Sequence, residues 1–253
     1  MTLQRWLARI DDGAILRAAF YVMLAGTLSV LALDYRELTA ADASVVPAPV
    51  LPLAPLWDPD HPMTPGPRLT TDPATLEAPL AVTLGAGGVL DLTGTIDIGA
   101  AKRVAAEIDA HGEYIRSVAL DSPGGSVDDA LAIGQLIRDH RFSTSVAAGA
   151  LCASSCPLLL AGGVERHAEQ GAAVGVHQVY AAVLADTVGT RRLSPDQAMG
   201  EAQAITARIG RYLTGMGVDP ALWLKAMETP PTDLAYLTPA EMYQFRLITS
   251  LNK

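Results

Sequence analysis

From residue 89 onward, short apolar runs of β character alternate with stretches whose apolar positions recur every three or four residues. Val89, Leu90, Leu92 and Ile96 predict an early strand, and residues 101–110 predict a helix. Residues 115–120 predict a second strand, and Ala130, Ile133, Gly134 and Ile137 mark one face of the helix that follows. The chain returns to strand over 142–147, turns at Gly149, and enters an apolar helix around 154–160. Two further strands are expected near 164–168 and 172–177. Ser194, Pro195 and Gln197 then form a helix start, continued at helical spacing by Ala198, Ala202, Ile205, Ile209, Tyr212 and Met216. Strands alternating with helices predict an α/β domain with crossover connections and a C-terminal helical section. No internal repeat is evident in the sequence.

The N-terminal pattern is different. An uncharged apolar run extends from Ala18 through Phe20, Tyr21 and Val22 to Leu33, where Asp34 closes it. The run is slightly short of the roughly 20 residues that span a bilayer. Arg17, with Ala14, Ile15 and Leu16 before it, lengthens the usable segment because its long side chain can reach the interface. Arg5, Arg9 and Arg17 precede the run, which places the N-terminus in the cytoplasm and the remainder on the non-cytoplasmic (periplasmic) side. A cleaved signal peptide with a small-residue site at Ala41 and Ala43 fits the same segment. Eight prolines, from Pro47 through Pro52, Pro59 and Pro65 to Pro67, exclude helix and central strand and predict an extended linker. The expected division is a cytoplasmic tip and membrane anchor over 1–40, a Pro-rich linker over 41–79 and a folded domain over 80–253.

Charge narrows the partners. The 253-residue chain has a formal net charge of -9 and no Lys/Arg cluster, which argues against nucleic acid, whose phosphates need clustered cations. Its two cysteines, Cys152 and Cys156, exclude a disulfide framework and are too few for a self-contained zinc site, so neither metal nor cofactor is expected. In an oxidising compartment they could bridge; two free buried thiols fit the spacing equally well.

Three segments carry chemistry. In Asp121-Ser122-Pro123-Gly124-Gly125-Ser126-Val127, adjacent glycines between strand and helix let the backbone turn sharply and expose amides that can hold an oxyanion. An ordinary turn with Ser126 as N-cap fits the same residues. In Cys152-Ala153-Ser154-Ser155-Cys156, a serine stands at the positive end of an apolar helix, a position that suits a nucleophile and, far more commonly, a cap. His177, at the end of the strand through Val174, Gly175 and Val176, could act as general base or serve as a structural histidine.

In order and approximate spacing, these segments resemble the Clp protease catalytic subunit family of the Clp/crotonase superfamily. Ser122-Pro123-Gly124-Gly125-Ser126-Val127 is similar to that family's oxyanion turn. Ala153-Ser154, followed by Leu159-Leu160-Ala161-Gly162-Gly163, resembles its nucleophile helix, and Gly175-Val176-His177-Gln178 its histidine strand. The resemblance covers about 89–178, with a weaker continuation in Tyr236-Leu237-Thr238-Pro239-Ala240-Glu241. It implies stacked ββα units, Ser154 as nucleophile by its distance from Gly163, His177 as base, and Asp233 as third member, one residue off the family spacing. It also implies an oxyanion hole at the Gly124 and Gly125 turn with the amides of Gly125 and Ser155. Ser155 stays open as the alternative nucleophile. A serine–lysine variant is not matched, since Lys102, Lys225 and Lys253 lie in none of these segments.

The implied activity is a serine peptidase acting on peptides or loosely folded proteins, membrane-anchored and compatible with a homo-oligomer. Two rivals share the fold. One is a non-catalytic scaffold that binds peptides; the other is an acyl-CoA enzyme of the crotonase branch, which needs neither a Ser154–His177 pair nor an anchor.

Overall fold

The computed structural model describes residues 12–41, 67–179 and 195–252. The prolines from Pro47 to Pro65, Arg5, Arg9, Ala43, Ser194 and Lys253 lie outside the described residues. The chain divides into two compact units, Met1–Pro49 and Val50–Lys253.

The described residues of the first unit form one helix, α1 (Asp12–Ala41). Within it Ile15–Arg36 is long and apolar enough to cross a membrane. The helix continues through Asp34, so the apolar run is not its boundary. Its described side chains from Ile15 to Arg36, among them Leu16, Phe20, Met23 and Leu31, are exposed. The Thr27 and Ser29 hydroxyls donate to the carbonyls of Met23 (2.9 Å) and Ala25 (2.8 Å), which satisfies them within the helix.

In the second unit, chain order runs α2 (Pro73–Glu77), β1 (Ala81–Leu84), β2 (Val89–Thr93), α3 (Ala100–His111), β3 (Ser117–Asp121), α4 (Val127–Asp139), β4 (Ser143–Val146) and β5 (Leu151–Ala153). It continues with α5 (Cys156–Gly162), β6 (Arg166–Glu169), β7 (Ala173–Val176), α6 (Pro195–Gly215), α7 (Ala221–Glu228), β8 (Ala235–Tyr236), α8 (Pro239–Gln244) and β9 (Ser250–Asn252). A six-stranded sheet has the order β1-β2-β3-β4-β6-β9, with β1 antiparallel to β2 and the rest parallel; a second sheet has the order β5-β7-β8. This is the mixed α/β architecture with a mostly parallel sheet that the alternating pattern predicts.

The second layer explains the stacked units. Besides the parallel β5–β7 pair, single parallel bridges join Ile96 to Gly125 and Ser122 to Cys152. Each of β2, β3, β4 and β6 is therefore followed by a short second-layer segment, then by a helix. The structural repeat is absent from the sequence pattern because these segments are short and largely buried, leaving little room for alternation to show. β5, with all three residues buried, is the element the pattern misses most clearly.

The core lies between the sheets and helices. Leu90, Leu92, Val104, Ile133, Ile137 and Leu160 belong to one buried cluster. Helices α4 and α5 approach closely: a Cβ on Gly162 would lie 2.4 Å from the Gly134 carbonyl, and one on Gly134 would lie 2.8 Å from Leu158 O and, on the side of α6, 1.9 Å from the Tyr212 hydroxyl. Asp129 of α4 fixes the starts of two helices. Its Oδ1 accepts from the amides of Gly99 (3.1 Å) and Ala101 (2.9 Å) at α3, and its Oδ2 accepts from the Ser126 hydroxyl (2.9 Å). Folding begins before residue 80: Leu76 is buried, the Thr70 amide donates to Gly149 O (2.9 Å), and the Thr71 hydroxyl donates to Asp121. The strap from residue 67 thus already belongs to the folded unit, upstream of the boundary that composition suggests.

Candidate functional site

Three turns converge where the second-layer strands end. Past β3, the Ser122 amide donates to Leu151 O (2.6 Å) and the Ala153 amide donates to Ser122 O (3.0 Å), which ties the glycine turn to β5. The chain then passes through Gly124 at φ 95° and Gly125 at φ 143°. Only glycine fits. A Cβ on Gly124 would lie 2.7 Å from Ala153 O and from Ser154 Cβ, and one on Gly125 would lie 2.3 Å from Ile96 O. The Gly124 amide is engaged, donating to Ser122 Oγ (3.1 Å), whereas the Gly125 amide donates to no described residue. Of the two glycines, Gly124 therefore shapes the turn and Gly125 presents an N–H.

β5 leads into Ser154, which adopts φ 60°, a left-handed conformation costing a non-glycine residue about 1–2 kcal/mol. Its amide donates to Gly175 O on β7 (3.0 Å), which anchors the strained residue to the strand that ends at His177. Ser155, the N-cap of α5, makes no side-chain cap bond. Its hydroxyl instead donates to Gly125 O (3.2 Å), and its amide donates to no described residue. The half-buried Ser154 keeps its hydroxyl unspent among the described residues, while Ser155 does not. Ser154 precedes α5 rather than lying within it. Cys152 and Cys156 flank this turn and are joined by a disulfide, with Cα atoms 5.1 Å apart and both residues fully buried.

His177 is 3% exposed. Burial pushes its imidazole below the ordinary value of 6.5, partly offset by a hydrogen bond with the Gln178 backbone, so the neutral ring is favoured. Ser154, Ser155 and His177 line one shallow cleft with Val127, Leu158, Ile209 and Trp223. Among the described residues, Ser154 Oγ and the imidazole line the same cleft without a hydrogen bond between them.

Asp233 is not brought to the cleft. It is exposed in the loop between α7 and β8, its amide donates to Pro230 O (3.0 Å), and its side chain bonds no described residue. On that side the histidine strand is tied by backbone bonds, Leu237 N–H to Val174 O (2.8 Å) and Gln178 N–H to Thr229 O (3.1 Å), and by packing against Leu237.

Leu158, Val179, Ile209 and Trp223 are cleft residues that sequence reasoning did not assign to the site, the last two from the C-terminal helices. Ile209 is legible only as a core position of α6. Trp223 lies on α7, whose start is written in Asp219-Pro220: the Asp219 carboxylate accepts from the Ala221 amide (2.9 Å), and Leu222 and Ala226 repeat at i and i+4 on the buried face.

No protein-family model matches the chain, and no curated protein sequence matches it. Among solved structures it is similar to a ClpP1 mutant from Listeria monocytogenes, with 14% identity, a TM-score of 0.49, and coverage of 66% of this chain and 92% of that one. A likeness at this level assigns no residue a role.

Proposed function

We propose that this protein is a serine peptidase in which Ser154 attacks a peptide carbonyl, His177 takes the hydroxyl proton, and the amides of Gly125 and Ser155 hold the developing oxyanion. One observation carries the reading: Ser154 is strained, with its hydroxyl unspent, in the same cleft as a buried histidine and between two amides that donate to no described residue. Strain of this kind persists where surrounding contacts enforce it, and it clusters at reactive sites. The depressed pKa of His177 supports its role as base, since the ring is neutral at neutral pH. The catalytic unit is a serine–histidine pair. Asp233 is left out of it because its exposed side chain reaches no described partner.

The same proposal places the domain on the non-cytoplasmic side of a membrane, anchored by α1. The Ile15–Arg36 segment and the buried Cys152–Cys156 bridge, a feature of oxidising compartments, support it. Its substrates are then peptides or loosely folded chains. A serine-directed fluorophosphonate tests the chemistry: it should label the wild type and Ser155→Ala and fail to label Ser154→Ala. Labelling of Ser154→Ala but not Ser155→Ala would move the nucleophile by one residue. A wild type that binds peptides without labelling would make the protein a scaffold.

A further inference from the structure

β5, the strand that delivers Ser154, is held at both edges. One edge pairs with β7, setting Ala153 opposite Gly175, and the other is bonded to Ser122 of the glycine-turn segment. Its two faces meet different surroundings. Cys152 belongs to the main core cluster, whereas Leu151 and Ala153, on the opposite face of the strand, belong to a separate buried cluster with Leu76 and Ala173. Leu69 and Leu234 pack against that second cluster. Leu69 lies in the strap from residue 67, and Leu76 lies on α2, whose start is capped by Asp72 accepting from the Ala74 amide (2.8 Å). Chain upstream of residue 80 thus covers much of the face of β5 that the main core leaves open.

Asp121 ties the same pieces together by hydrogen bonds. It ends β3 immediately before the glycine turn, and its two carboxylate oxygens have different partners. Oδ1 accepts from the Leu151 amide (2.8 Å) at the start of β5, and Oδ2 accepts from the Thr71 hydroxyl of the strap. Beside it, the Thr70 amide donates to Gly149 O (2.9 Å) in the turn that leads into β5, where a Cβ on Gly149 would lie 2.5 Å from the Thr70 methyl. One carboxylate therefore joins the strap, the strand that leads to Ser154 and the turn that carries Gly125. Hydrogen bonds to an ionised acceptor are roughly twice as strong as neutral ones.

We propose that Thr71 and Asp121 are positioning residues, a brace that fixes Ser154 relative to the Gly125 amide while touching no substrate themselves. This rests on the peptidase reading above and extends its site to the segment through which the chain enters the folded unit. A reactive constellation works only when held within about 0.5 Å of its productive geometry, and the left-handed Ser154 keeps its conformation only while surrounding contacts enforce it. Loss of the Thr71 bond frees the Asp121 carboxylate to turn away from Leu151, and β5 then shifts against the glycine turn.

The test uses the full-length chain in detergent micelles and a serine-directed fluorophosphonate. Thr71→Val keeps the shape of the side chain and removes the donor, whereas Thr71→Ser keeps the donor. Thr71→Val should slow labelling about tenfold, within what one hydrogen bond to a charged group can transmit. The loss should fall on the maximal rate and not on the affinity for the probe, with the final extent of labelling unchanged; a folding defect would lower the extent instead. Thr71→Ser should restore the rate. An unchanged rate in Thr71→Val, or an equal loss in Thr71→Ser, overturns the proposal. Should Thr71→Val fail to fold, Leu69→Ala reaches the same strand through the cluster: its labelling should slow in the same way, and an unchanged rate overturns the proposal. If the wild type does not label, the peptidase reading fails and the backbone amide resonances of Gly125 and Ser155 decide the brace. They should shift in Thr71→Val and return in Thr71→Ser; resonances that stay in place overturn it.

Discussion

Among the described residues, two serine-bearing turns lead from strand to helix, and they differ in what the hydroxyl does. Ser126 opens α4 with a complete cap: its Oγ accepts from the Asp129 amide (3.2 Å) and donates to the Asp129 carboxylate (2.9 Å). At α5 the cap position belongs to Ser155, whose hydroxyl turns back to Gly125 O, and the preceding Ser154 is strained with its hydroxyl uncommitted. From sequence both turns admit a cap or a reactive site. The difference teaches that a serine hydroxyl at a helix start stays uncommitted where the cap position falls to a neighbouring residue, here Ser155, while the preceding Ser154 is held by its amide on Gly175 O.

The largest effect expected from breaking this contrast is at Ser154 itself. Ser154→Gly should eliminate peptide hydrolysis while raising unfolding stability by about 1 kcal/mol in chemical denaturation, because glycine adopts φ 60° without the Cβ penalty. Equal or lower stability would mean that the turn is not strained. Gly124→Ala comes next. Its Cβ would lie 2.7 Å from Ser154 Cβ and 2.8 Å from the Ser155 nitrogen, so the nucleophile turn must shift, and kcat/KM should fall by about 100-fold.

The Cys152–Cys156 bridge sharpens the comparison from the other side, since the Ser126 turn has none. Replacing both with alanine should cost about 2 kcal/mol of stability on the chain-entropy estimate for so short a loop, and should slow fluorophosphonate labelling. Thiol counting on the denatured, non-reduced wild type should find no free thiol. The smallest effect is at the true cap: Ser126→Ala should lower stability by about 1 kcal/mol and leave labelling intact.

His177 links these turns to pH. Its folded pKa lies below 6.5, so the active neutral form persists below the ordinary histidine range, and the acid limb of kcat/KM should fall below 6.5. The unfolded chain binds the proton more readily, so the same shift lowers folding stability as pH drops from 6.5 through the depressed value. An acid limb at or above 6.5 would remove His177 as the base.

Much of the site was legible along the chain because its parts are local. Paired glycines at 124 and 125, a serine before an apolar helix and a histidine ending an apolar strand each show in a few consecutive residues. The strand-helix alternation that spaces them is likewise written in hydrophobic periodicity. β5 was not legible, because three buried residues carry no period, and neither was the second layer, because single bridges leave no pattern.

By itself, then, the sequence determined the α/β class, the apolar N-terminal segment, the glycine turn and the order of Ser154 and His177, all properties of neighbouring residues. Tertiary structure alone decided which serine keeps its hydroxyl free, that Gly125 rather than Gly124 presents its amide, and that Asp233 stays outside. It also brought Ile209 and Trp223 from the C-terminal helices into the cleft. The physical reason is that these outcomes depend on hydrogen bonds and close contacts between segments far apart in the chain. The Ser154 amide finds its acceptor at Gly175, and the Gly124 turn meets Ser154 at a distance that only a missing Cβ permits.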